Sequence, residues 1–149
     1  MVKSLFRISV SFGLLGMAFG IFMGVEQDFV LAPAHAHLNL LGFVVMFLSA
    51  LSSRAFPEAA ANRLAPYQAL VSVVGAMVFP LGIACVLLGG HDRFEPVVVA
   101  GALTVLSGMT MFAVIVFRTG GAETGADPKL TRSEPGPAQL RHDRAAHLP

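Results

Sequence analysis

Two histidines separated by one residue, His35 and His37, stand at the start of an apolar segment that is long enough to cross a bilayer. Imidazole is costly to place near hydrocarbon unless it is paired, hydrated or coordinated, so an ionisable side chain there indicates a functional site. Residues two apart on an α-helix point about 200° apart around its axis. The two rings therefore face different neighbours, and a helical segment cannot bring both to one small metal ion or to one haem.

Three further residues complete the candidate site. Asn39 and Gly42 follow His35 on one helical stripe at i+4 and i+7. Asn39 offers an amide for hydrogen bonding, and Gly42 leaves room beside the helix. His91 is predicted in a short loop at the same end of the chain's helices. The predicted cofactor-binding residues are His35, His37, Asn39 and Gly42, and the candidate metal ligands are His35, His37 and His91.

The composition places these residues in a membrane protein. The chain is 55% hydrophobic and 13% charged, whereas a soluble domain has roughly 25% charged residues. Four apolar runs each reach the ~20 residues that a hydrocarbon core requires, at about 5–25, 34–53, 67–88 and 96–117. The sequence therefore predicts an all-α, polytopic bundle of four transmembrane helices over 1–117. Residues 118–149, rich in Gly, Pro and charge, are predicted to form a flexible cytoplasmic tail.

The basic residues predict the orientation of the bundle. Nine of the ten lysines and arginines lie in the N-terminal segment, the middle loop or the tail, and only Arg93 lies on the opposite side. The positive-inside rule then puts both termini on the cytoplasmic side of a bacterial-type inner membrane. His35 and His37 would lie near the outer surface. The net charge of +1 gives no indication of a nucleic-acid partner.

Small residues at four-residue spacing predict close helix packing. A backbone or a flat ligand can approach such a stripe because no bulky side chain stands in the way. The stripes are Gly16, Gly20 and Gly24 on the first helix, and Ala100, Thr104 and Gly108 on the fourth.

The His35-x-His37 pair, followed by an apolar stretch and Gly42, resembles the tenth transmembrane helix of the haem-copper oxidase catalytic subunit. The likeness is strongest to the nitric oxide reductase and cbb-type oxidase branches. It implies that His35 ligates a high-spin haem and that His37 ligates a low-spin haem. The oxidase subunit has twelve helices in three arcs of four, and this chain resembles one arc. The resemblance thus implies a homotrimer, with His37 of one protomer opposite His35 of the next.

These observations predict a membrane protein that binds haem b without a covalent link, since no Cys-x-x-Cys-His motif is present. It would accept electrons from a respiratory donor, or bind or sense O2 or NO. If it is an enzyme, it would be an oxygen or nitric oxide reductase.

Two alternatives stay open. One is copper or zinc handling at the outer face by His35, His37, His91, Glu26 and Asp28, if the second helix unwinds at its start. The other is an accessory subunit of a respiratory complex, with the histidines as hydrated anchors.

Overall fold

The computed structural model describes residues 2–120, and over this range the chain is helical with short connections. Four long helices are each long and apolar enough to cross a membrane. They are α1 (Val2–Glu26), α2 (Ala32–Ala55), α3 (Ala65–Gly89) and α4 (His91–Gly120). A short helix, Pro57–Ala61, lies between α2 and α3. The predicted all-α bundle with four spans is confirmed, and residues 121–149 of the predicted tail lie outside the described residues.

The outer surface of the bundle is apolar. Leu14 and Ile21 on α1 are 60% and 69% exposed, and Leu103 on α4 is 59% exposed. Large aliphatic side chains in such numbers would be unfavourable in water but match the hydrocarbon of a bilayer. The chain is therefore a multi-pass membrane protein.

The helices α1 and α2 pack along a seam of glycines. A Cβ placed on Gly13 would lie 3.0 Å from the ring of Phe43, and one on Gly20 would lie 2.9 Å from the ring of His35. The later residue on α1 therefore contacts the earlier residue on α2, so the two helices are antiparallel. Gly24 has nothing within 4 Å of such a Cβ. The predicted seam thus holds Gly16 and Gly20 but not Gly24.

The helices α3 and α4 form a second antiparallel seam. Gly75 lies against Val105, and Gly82 lies against Val98. From α4, Gly101 contacts the backbone of Phe79. The predicted stripe on α4 is wrong in part: Gly108 is buried against α3, but Ala100 is exposed and Gly101 takes its place in the seam.

The core joins the first three helices. Its buried residues are Leu5, Met46, Ala50, Ala69 and Ala76, and Phe6, Phe12, Leu41 and Val73 pack against them. The core residues of α2 lie in the second half of that helix, whereas those of α3 lie in its first half. The helices α2 and α3 are therefore antiparallel as well. The connections α1–α2 and α3–α4 consequently lie at the same end of the bundle, and His35 and His37 lie at that end.

The connection between α3 and α4 is shorter than the sequence predicts. Gly90 has a φ of 101°, a conformation that favours glycine, and α4 begins at the next residue. The prediction that His91 lies in a loop is therefore wrong. Pro96 does not delay the start of α4, since the helix is continuous through it.

Residues Leu38–Val45, in the middle of α2, form a π-helix. In an α-helix the backbone N–H of Asn39 would bond to the carbonyl of His35. Here the side-chain Nδ2 of Asn39 donates to that carbonyl at 3.2 Å. A side chain that occupies a backbone acceptor competes with regular helical bonding. The π-helical segment begins directly after His37, and such segments are frequent at functional sites.

Candidate functional site

One ring nitrogen of His37 is hydrogen-bonded to the backbone, and the other takes no part in that bond. Its Nδ1 donates to the carbonyl oxygen of Pro33, four residues earlier, at 2.7 Å. A carbonyl can only accept, so Nδ1 is the donor, and in a neutral ring Nε2 then carries the lone pair. Metal-ligating histidines usually have this arrangement, in which a backbone carbonyl holds the tautomer and the ring orientation.

The ring of His37 is turned toward α3. It meets the ring of Phe79 edge to face, with centroids 5.0 Å apart and an interplanar angle of 85°. Such a pair contributes ~0.5–1.5 kcal/mol beyond its buried area. His37 is half-buried, so its position is fixed by a hydrogen bond on one side and by an aromatic contact on another.

His35 is turned toward α1. Its ring packs over Gly20 and meets the ring of Phe19, with centroids 5.9 Å apart and an interplanar angle of 63°. The prediction that His35 and His37 face different neighbours is therefore confirmed: one contacts α1 and the other contacts α3. No single flat cofactor can lie between the two rings of one chain.

Asn39 lies beside His35 in the α1–α2 seam. Its Nδ2 is 3.3 Å from both Nδ1 and Nε2 of His35, at the long end of hydrogen-bond distances. Gly16 makes room for this amide, since a Cβ there would lie 2.6 Å from Asn39 Cγ. The i+4 relation predicted between His35 and Asn39 thus corresponds to a direct polar contact.

Gly42 is also in contact with α1. A Cβ on Gly42 would lie 2.9 Å from Cγ of Phe12. The space that the sequence predicts beside this glycine exists, and the Phe12 side chain fills it. Gly42 therefore serves helix packing in this structure, and its role in cofactor binding stays a prediction.

His91 stands apart from the histidine pair. It is exposed at the first residue of α4, and its Nε2 is 3.7 Å from an oxygen of Glu95. Asp28 is engaged elsewhere, because its Oδ1 accepts the backbone N–H of Val30 at 3.0 Å. Within residues 2–120 no three side chains of His, Cys, Asp or Glu come together to hold a metal ion. The described residues therefore do not bring together the copper or zinc ligands that the sequence predicts.

A haem with an axial histidine needs an imidazole nitrogen that is free to reach its iron. His37 meets that need, since its free nitrogen is defined and its ring is held. His35 has the right donor type, but its ring fills the space over Gly20 and its nitrogens face Asn39. The residues fit haem ligation through His37 directly, and through His35 only after its ring leaves the seam.

Sequence reasoning missed the residues that hold the two rings. The role of Pro33 could have been predicted from its position four residues before His37, because a side chain one helical turn later can reach the backbone carbonyl of such a residue. Phe19 and Phe79 carry no sequence signal of their role, since apolar side chains fill every one of these helices.

Comparisons with models of protein families, with curated proteins and with solved structures found no match to this chain.

Proposed function

We propose that this chain is a b-type haem protein of a bacterial-type inner membrane, with both termini in the cytoplasm. His37 and His35 supply axial nitrogens, as the oxidase resemblance implies. A haem bound in this way supplies an iron that can exchange one electron or bind a diatomic gas, with its behaviour set by the axial ligands. The protein would transfer electrons from a respiratory donor, or bind or sense O2 or NO.

The observation that carries this proposal is the bond from His37 Nδ1 to the Pro33 carbonyl. A solvated anchor at a membrane boundary has no need of a fixed tautomer, whereas a metal ligand does. The free Nε2 of His37 lies on a half-buried ring at the end of the bundle where the α1–α2 connection lies. Placement of an ionisable ring at this depth also favours a functional role.

The haem test is a direct one. Membranes from cells supplied with a haem precursor should yield purified protein with b-type haem in a pyridine haemochrome assay. The haem should be removable by acid-organic extraction, because the sequence has no motif for covalent attachment. Folded protein from haem-replete cells that contains no porphyrin would refute the proposal.

We further propose that the haem lies between subunits of a homotrimer. Because the rings of one chain diverge, a second axial nitrogen must come from another chain. Head-to-tail interfaces of this kind close into rings, and the oxidase resemblance favours three copies. Native mass spectrometry should give a trimer. With the chain's single cysteine, Cys85, replaced by alanine, a bifunctional thiol reagent long enough to span the haem should crosslink copies with His35→Cys to copies carrying His37→Cys.

Two results would contradict the assembly in different ways. A monomer that keeps a bis-histidine spectrum would refute the inter-subunit geometry altogether. A symmetric dimer in which His37 faces His37 would refute the trimer and keep the haem.

A second candidate function has one observation in its favour. The contacts of His35 with Asn39, Gly16 and Gly20 are also what a polar clamp between two membrane helices would make. This favours a non-catalytic accessory subunit of a respiratory complex. The two functions differ in the haem assay: an accessory subunit stays colourless, and His35→Ala then weakens only helix packing.

A further inference from the structure

Positive charge collects at one end of the bundle. The antiparallel packing brings together the start of α1, the end of α2, the α2–α3 connection and the end of α4. The cations at this end are all exposed, and they are Lys3, Arg7, Arg54, Arg63 and Arg118. Within residues 2–120 the one carboxylate at this end is that of Glu58, and the one ion pair joins His91 and Glu95 at the other end. We call this surface the basic end.

The rest of the chain does not offset this excess of positive charge. Residues 121–149 contain four acidic and four basic residues, so their side chains add no net charge. The opposite end of the bundle has the reverse balance, with Arg93 as its single lysine or arginine and four carboxylates, those of Glu26, Asp28, Asp92 and Glu95. A ligand that complements the basic end must therefore be negatively charged.

A small apolar cluster joins the α2–α3 connection to the end of α4. Its members are Ala59, Leu64, Ala65 and Ile115. Arg63 directly precedes Leu64, and Arg118 follows Ile115 by three residues, about one helical turn. The backbone N–H of Leu64 donates to Oδ1 of Asn62 at 2.9 Å, which fixes the connection at this point. The connection and the end of α4 thus form one surface that carries both arginines.

Exposed aromatic rings mark the depth of this surface in the membrane. Tyr67, in the first turn of α3, is 63% exposed, and Phe117, which precedes Arg118, is 82% exposed. Amphipathic rings such as that of tyrosine collect where the hydrocarbon of a bilayer meets its headgroups. Arg63 and Arg118 therefore lie at the level of the lipid phosphates. This placement favours a membrane lipid over an acidic protein as the negatively charged ligand.

We propose that the basic end binds anionic phospholipid, with the phosphodiester held jointly by Arg63 and Arg118. A guanidinium group presents a planar fork of N–H donors that matches phosphate oxygens. Basic surfaces between membrane helices bind anionic headgroups in this way. The acyl chains of the lipid then lie against the apolar outer surface beside Tyr67. The inference does not rest on the proposed haem function, because neither histidine of the pair takes part in it.

The fluorescence of Tyr67 gives a local test. Tyr67 is the only tyrosine, and the chain has no tryptophan. The protein is placed in phosphatidylcholine vesicles that contain a small fraction of phosphatidylglycerol brominated near the headgroup. In matched vesicles of the same composition, an equal amount of phosphatidylcholine carries the bromine instead. Bromine quenches only at short range, so brominated phosphatidylglycerol should quench Tyr67 more strongly. Both leaflets contain it, so the direction of insertion does not affect the result.

Three substitutions locate the site. Arg63→Gln and Arg118→Gln each remove one charge from an exposed position. One basic side chain near a membrane surface corresponds to a roughly fivefold change in affinity for anionic lipid. Each variant should therefore lower the affinity for phosphatidylglycerol relative to phosphatidylcholine by that factor, and high salt should weaken it further by screening. Arg93→Gln is the matched control, because it makes the same change at the opposite end, and it should behave as the wild type.

A second measurement needs no variant. Native mass spectrometry of the wild type, released from micelles with equal amounts of the two lipids, should show phosphatidylglycerol retained in preference to phosphatidylcholine. Equal retention of the two lipids together with equal quenching would refute the inference.

Other outcomes bear on the position of the site. A preference for phosphatidylglycerol that neither Arg63→Gln nor Arg118→Gln lowers would overturn the assignment to these arginines. A loss of equal size in Arg93→Gln would overturn it as well, because the preference would then follow total charge. A haem-free protein that still prefers phosphatidylglycerol, and loses the preference in Arg63→Gln, would support this inference while the haem proposal fails.

Discussion

Gly16→Ala is the sharpest test of how α1 and α2 fit together. The added Cβ would lie 2.6 Å from Cγ and 2.8 Å from Nδ2 of Asn39, too close for a methyl carbon and an atom to which it is not bonded, so the amide must move. Overpacking of this kind costs ~1–3 kcal/mol. Alanine also has a higher helix propensity than glycine, by ~1 kcal/mol. Gly24→Ala carries the same propensity gain without a clash, since its Cβ has nothing within 4 Å.

The comparison of the two variants isolates the contact. Because the propensity gain is common to both, Gly16→Ala should be less stable than Gly24→Ala by ~1–3 kcal/mol. The free energy of unfolding can be measured in mixed detergent micelles, from energy transfer between dyes on engineered cysteines at the ends of α1 and α2 in a Cys85→Ala background. Equal stability of the two variants would refute the register in which Gly16 faces Asn39.

Two further substitutions address His37 and His91, which lie outside the α1–α2 seam. Phe79→Leu keeps an apolar side chain but removes the edge-to-face contact with His37, so the free energy of unfolding should fall by ~0.5–1.5 kcal/mol in the same assay. An unchanged free energy of unfolding would mean that the ring contact contributes nothing. His91→Ala should alter the free energy of unfolding by less than ~1 kcal/mol, because His91 and Glu95 are 69% and 57% exposed and exposed pairs contribute little. It should also leave any haem spectrum unchanged, and loss of haem in this variant would move the site to α4.

Much of the fold follows from the sequence because the bilayer limits what an apolar run of ~20 residues can do. The predicted spans coincide with the four helices to within a few residues, and the largest difference is at the start of α4, where His91 rather than residue 96 is the first helical position. The opposite directions of His35 and His37 also follow from helical geometry alone. The segment that contains both is α-helical, so the argument from 3.6 residues per turn applies there.

Other features depend on packing that no single helix encodes. Ala100 and Gly101 are both small, and only the approach of Phe79 decides which of them faces α3. The π-helix over Leu38–Val45 breaks the periodicity on which a pattern argument depends. Its start coincides with the Asn39 side chain on the His35 carbonyl, an interaction between a side chain and the backbone that residue types alone do not disclose.

The optical spectrum of the purified protein tests the central claim most directly, with His37→Ala and His91→Ala prepared in parallel. We predict a Soret band and a b-type haemochrome in the wild type and in His91→Ala. In His37→Ala the haem should be lost, because the substitution removes the proposed axial nitrogen, which belongs to the ring that the Pro33 carbonyl holds in place. Folded His37→Ala that keeps the full haem content and an unchanged spectrum would contradict the account.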